Sequence, residues 1–175
     1  IFIVIFSAVF ALIEIEIEGK YGWAVNLPTP HITKNKKSLT IYHLYIFLFV
    51  FLAFNMIFFI NNKLSNFNNF LYMFSMTLMF FFLEDIYWFM LNPYHSLFKQ
   101  NQWHTYVGGF PTIYIILPII SFIFALISKN AKIWLWNFVV FFVGSLFILF
   151  FSLFYIKYYK KTHTKKNCEN KKYNK

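Results

Sequence analysis

The sequence predicts an all-α protein, a polytopic membrane helix bundle of about five transmembrane helices. Two observations carry that expectation. Apolar residues make up 59% of the 175-residue chain and aromatic residues 25%. A soluble domain of this size has too little interior to hide so much apolar surface, whereas lipid accepts it. The apolar residues also fall in continuous runs. A transmembrane barrel alternates polar and apolar residues in short segments, so continuous runs select helices, which satisfy their own backbone hydrogen bonds in lipid.

The runs set the elements in order. Ile1 to Ile13 is the first. As helix it is about 20 Å long, short of a ~30 Å hydrocarbon core, and continuation to about residue 18 brings it closer. A signal peptide is the rival, but a basic leading region and a small-residue cleavage site are missing ahead of Glu14. A polar stretch from Glu14 to Thr40 follows, interrupted by Gly19, Gly22, Pro28 and Pro30. The second span covers residues 41–60 and the third residues 67–91. Asn92-Pro93 stops the third, because the residue before proline is pushed out of helical geometry. A second polar stretch leads to the fourth span, 110–127, with Pro118 inside it. The fifth span is 133–156, and residues 157–175 form a basic tail read as disordered.

The lysines orient this arrangement. All 16 basic residues are lysine. Thirteen lie in the two polar stretches and the tail, which share one side of a five-span protein; only Lys63, Lys129 and Lys132 lie on the other. The positive-inside rule places the first side, tail included, in the cytoplasm. The tail, at +7 of a net +10, is suited to anionic lipid headgroups as well as to fixing topology. Nucleic acid is not an expected partner, because no folded basic domain is present. Protein partners are left open.

Without arginine, no guanidinium fork is available for phosphate or carboxylate. The single cysteine, Cys168, forms no intramolecular disulfide and no thiolate-rich metal site. G-x-S-x-G, phosphate-loop and H-E-x-x-H motifs are all missing.

The acids and histidines carry what chemistry there is. Because span direction alternates, Glu14, Glu16 and Glu18, His43, Glu84 and Asp85, and the loop residues His95 and His104 all fall at one membrane face. Glu84 and Asp85 sit inside a run of Phe, Leu, Tyr and Trp. Acids at such depth face a bundle interior or a wet cavity. Adjacent helical positions differ by about 100°, so one of the pair faces the site and the other the headgroups. Glu14 and Glu18 share a helix face, while a strand would align all three glutamates; both readings are open. Like charges so close need a cation, a metal or shared protons.

Glu84, Asp85 and His43 are therefore the candidate catalytic residues. Glu14, Glu18, His43, Glu84, His95 and His104 are the candidate ligands of a divalent metal, with magnesium, manganese or iron favoured by an oxygen-rich set. Each has a plainer alternative: a solvated helix end for the acids, a hydrogen-bonding group for His43, an interfacial aromatic belt around His95 and His104. Three functions fit: an enzyme acting on a lipid-like substrate, an assembly or scaffold factor, and a small transporter. The transporter is the weakest, because only Asn55, Ser75, Thr77, Ser121, Asn137 and Ser145 offer polarity at depth and no repeat is visible.

Two segments carry a resemblance. Residues 14–29 read EIEIEGKYGWAVNLPT and residues 83–93 read LEDIYWFMLNP. They resemble a group of small, functionally uncharacterised prokaryotic integral membrane proteins with G-W-A-x-N-L-P-T and E-D-x-x-W-F-x-L-N-P signatures. The resemblance implies a prokaryotic cell membrane and a joint role for the two segments, and it implies no reaction. A tryptophan often follows the threonine in such proteins; here Pro30 stands there.

Overall fold

A computed structural model describes residues 1–19, 27–30, 32, 40–60, 66–95, 106–107 and 110–173. The chain is helical: α1 is Phe2–Glu18, α2 Ile41–Ile60, α3 Phe67–Leu91, α4 Ile113–Ile127 and α5 Ala131–Tyr173. A two-residue antiparallel ladder, β1 (Tyr106–Val107) with β2 (Phe110–Pro111), precedes α4.

Local chemistry sets the helix ends. Gly19 closes α1 at φ +61°, a conformation that disfavours a side chain, and its N–H donates to the Ile15 carbonyl. The run of alternating isoleucine and glutamate is thus helical, not a strand. Asn66 caps α3 by accepting the Asn68 N–H at 3.0 Å. At the other end Asn92 is extended, as a residue before proline must be, and its Oδ1 accepts the Tyr94 N–H at 2.9 Å. The turn from α4 to α5 has Lys129 at φ +61°. Its N–H donates to Leu126 and the Asn130 N–H to Ala125, the paired bonds of a Schellman cap.

The boundaries differ from expectation in two places. The fourth apolar run begins at Phe110, but Phe110 and Pro111 pair with the ladder, and α4 starts at Ile113. The basic tail was expected to be disordered beyond residue 156, yet α5 runs on to Tyr173. No glycine or proline follows Gly144, and lysine is a good helix former, so nothing in the local sequence stops the helix.

The helices run up and down in turn. Phe6 packs on Phe54 while Tyr42 reaches Glu14, so α1 and α2 are antiparallel. Phe47 meets Phe81 and Phe51 meets Phe70, so α2 and α3 are antiparallel. Phe74 meets Phe124 and Phe89 meets Tyr114, which sets α4 against α3. Asn137 bonds Tyr72 and Ser145 bonds Tyr87, so α5 runs parallel to α3. Helix α3 contacts the other four and is the axis of the bundle.

Phenylalanines fill one half of the core: Phe6, Phe10, Phe54 and Phe80 meet edge to face or tilted. The other half closes on small polar groups. Ser75 Oγ donates to the Ser121 carbonyl at 2.7 Å, Ser121 Oγ to the Ser75 carbonyl at 2.9 Å, and Trp134 Nε1 to Ser121 Oγ at 2.8 Å. Serines at a helix crossing let two backbones approach and bond, which suits an apolar surrounding. Helices α1 and α5 approach tightly at Gly144, where an added Cβ would lie 2.8 Å from Val4 Cγ1. Gly144→Ala is therefore expected to cost about 1–3 kcal/mol by overpacking, read as a lower unfolding midpoint. Gly144→Ala combined with Val4→Ala should recover most of that loss.

Phe67–Leu91 and the Ala131–Lys161 part of α5 are long and apolar enough to cross a membrane. Helix α1, at 17 residues, and α4, at 15, are shorter.

Candidate functional site

The alternation of direction brings the far end of α1, the start of α2 and the last third of α3 to one end of the bundle. Glu14 and Glu84 meet there, close enough for each carboxyl to act on the other. Glu84 is 5% exposed, and its Oε1 receives no N–H or O–H from any described residue. Glu18, one turn beyond Glu14 on the same face, is also buried and lies within electrostatic range of Glu84. Glu16 points away and is exposed, toward the α5 side where it acts on Tyr155 and Tyr159. Asp85 is half-buried and acts on Glu84 and Glu14.

The helical repeat explains this division. Positions 14 and 18 stack one turn apart, and 16 lies across the helix from them. Positions 84 and 85 differ by about 100°, so the first enters the packed interior and the second stays at its margin.

Tyr42 joins the acids. Its Oη lies 3.5 Å from Glu14 Oε1, at the long limit of a hydrogen bond. Sequence reasoning passed over this residue. The available signal was a hydroxyl at the entry of α2, beside His43 and at the level of Glu14.

His43 lies elsewhere in the local chemistry. Its Nδ1 accepts the Thr40 backbone N–H at 3.2 Å and is 2.7 Å from Thr40 Oγ1. One ring nitrogen is thereby engaged in the helix start. The His95 ring lies against Trp88, centroids 5.1 Å apart. His104 lies outside the described residues, as do Gly22 and Trp23 of the first motif.

Among the described residues, no three of His, Cys, Asp and Glu converge closely enough to hold a metal ion. Among the described residues, the groups that act most strongly on Glu14, Glu84 and Asp85 are other acids and Tyr42. A hydrogen bond between two carboxyl groups requires a proton between them, since an ionised carboxylate only accepts.

Just after the first motif, the Pro30 carbonyl accepts the Ile41 N–H at 3.1 Å, tying that stretch to the start of α2. Asn92 of the second motif is buried, and its Nδ2 has no acceptor among the described residues.

No protein-family model, curated protein or solved structure matches the chain.

Proposed function

We propose that the chain is a five-span membrane protein whose cytoplasmic end holds an acid–base site acting on a lipid-like substrate. The carrying observation is Glu84: a buried carboxyl facing Glu14, with no basic group among the described residues to neutralise either. Isolated buried charge is costly, and an ionisable group at membrane depth that is kept despite the cost points to proton chemistry.

The membrane reading draws on exposure. Buried positions make up 61% of the apolar window in α3, as a core helix of a soluble protein would also show. In α5 the share is 11% over the most apolar window of the chain. Water does not tolerate such a face, and lipid does. Helices α1, α2 and α4 complete five crossings, the shorter ones by local thinning of the bilayer and snorkelling of flanking groups. Lys157, Lys160 and Lys161 follow Tyr155 at the acid end, so the lysine-rich side and the carboxyl site share the cytoplasmic face. The lysines there attract anionic headgroups by roughly 1 kcal/mol each.

A carboxyl pair with one proton supplies a base and an acid side by side, the arrangement of an aspartic-protease dyad. The ionised member takes a proton from an attacking water or hydroxyl. The protonated member gives its proton to the departing oxygen. Tyr42 steadies the charge on Glu14, and Asp85, at the half-exposed margin, exchanges protons with the headgroup layer. The site lies near one end of the bundle and away from its middle, which favours a lipid linkage over a solute crossing the midplane. No step through a metal is assigned.

The reading is tested by reconstituting the protein in bacterial polar-lipid vesicles and following all lipid species by mass spectrometry. A lipid consumed or formed by the wild type, and unchanged with Glu84→Gln or Glu14→Gln, is the expected result. Lipid profiles equal to protein-free vesicles, with a partner protein co-purifying through both substitutions, would favour a scaffold instead.

A further inference from the structure

We infer that His43 is a positioning residue: through a cap shared with Thr40 it fixes the first turn of α2 and so holds the Tyr42 hydroxyl beside Glu14. The inference deepens the acid–base reading and rests on it for its functional meaning, while its geometry stands apart.

A helix leaves its first N–H groups without partners, and in an apolar surrounding each is expensive. The usual remedy is a box in which Ser or Thr at the cap is followed three residues on by Glu or Gln, whose side chain accepts the cap residue's N–H. Here Thr40 holds the cap position and the residue three on is His43. Its Nδ1 accepts the Thr40 N–H at 3.2 Å, the bond a glutamate would accept in an ordinary box. Accepting that hydrogen bond requires a bare Nδ1, so the neutral ring carries its hydrogen on Nε2. The Thr40 hydroxyl, 2.7 Å from the same nitrogen, is then the second donor of a three-centre bond to its one lone pair. The His43 N–H returns to the Thr40 carbonyl at 3.1 Å, and the Ile41 N–H is taken by Pro30. The first turn is tied at each of these points.

Tyr42 sits inside this turn, between the two halves of the box. Its ring meets the His43 ring edge to face, centroids 5.5 Å apart at 76°. From there its hydroxyl spans to α1 and reaches Glu14. Histidine thus does two jobs a glutamate would not: it caps without adding another negative charge beside the acids, and it gives Tyr42 a flat wall.

The test places 3-fluorotyrosine at position 42 alone and records its fluorine resonance in detergent micelles. Glu14→Gln is expected to move the resonance, which establishes that the probe senses the contact. His43→Ala is expected to move or split it in the same sense. His43→Gln, which restores an acceptor for the Thr40 N–H, should return it to the wild-type position. Thr40→Ala, which removes the hydroxyl and keeps the backbone donor, is the milder variant and should move it less. Lipid turnover should fall by about five- to tenfold in His43→Ala, the scale of a lost cap, and recover in His43→Gln. A resonance unmoved by Glu14→Gln or by His43→Ala, or moved as far by His43→Gln as by His43→Ala, would overturn the inference. The fluorine pattern appearing without any lipid turnover would leave His43 as a positioning residue and sink the acid–base reading alone.

Discussion

Glu84→Gln is expected to abolish turnover while leaving the bundle folded. Glutamine matches glutamate in shape and can donate its amide N–H to Glu14, so the contact between α1 and α3 survives. It cannot carry or release the proton. The loss should be about 10²–10⁴-fold, the usual worth of a positioned acid or base. Glu14→Gln should do the same. The double substitution should be no worse than either single one, because the two carboxyls act as a unit. Unfolding midpoints should stay level or rise, since an amide brings no charge into the interior. Additive losses would mean the two acids work independently, contrary to a shared proton. Asp85→Asn, at the margin, should cost less than Glu84→Gln, and equal losses would place Asp85 in the pair.

Phe147→Asp with Phe150→Asp in α5 is expected to keep the chain out of the membrane. Both side chains point away from the bundle, at 71% and 63% exposure. If water were their surroundings, the change would be a surface substitution, worth within about 0.5 kcal/mol and favourable to solubility. In lipid, near the centre of a span, each aspartate costs roughly 2.5–3.5 kcal/mol on insertion scales. The wild type should stay with membranes through alkaline extraction, and the variant should be extracted or degraded. A wild type found in the soluble fraction, with a variant that folds as before, would contradict the membrane reading.

How much of this was legible in the sequence depends on how local the cause was. Helices α2 and α3 begin and end with their apolar runs, because Asn66 and the Asn92-Pro93 pair act on their own neighbours. The gathering of acids at one end followed from alternating direction alone, and the structure brings Glu14, Glu18, Glu84 and Asp85 together there. That one of Glu84 and Asp85 turns inward came from the helical angle; that it is Glu84 came only with the packing. What stayed hidden required knowing neighbours. The alternating Ile and Glu of residues 13–18 fits either a strand or a helix, and packing of α1 on α3 decides for helix. His43 was read as a catalytic or metal-binding group from its depth, yet its Nδ1 is committed to Thr40. The Thr-x-x-His spacing was visible, but histidine in the glutamate place of a cap is not a pattern composition reveals. Tyr42 was lost among twelve tyrosines. The helical tail escaped notice because a polar, charged segment has the same composition whether it continues a helix or not.

A proton held between Glu14 and Glu84 is visible to infrared spectroscopy of the protein in lipid at neutral pH. A protonated carboxyl has a C=O stretch apart from that of a carboxylate, and the account predicts such a band in the wild type that disappears in both Glu84→Gln and Glu14→Gln. A wild-type spectrum without that band, or a band that persists through both substitutions, would contradict the account.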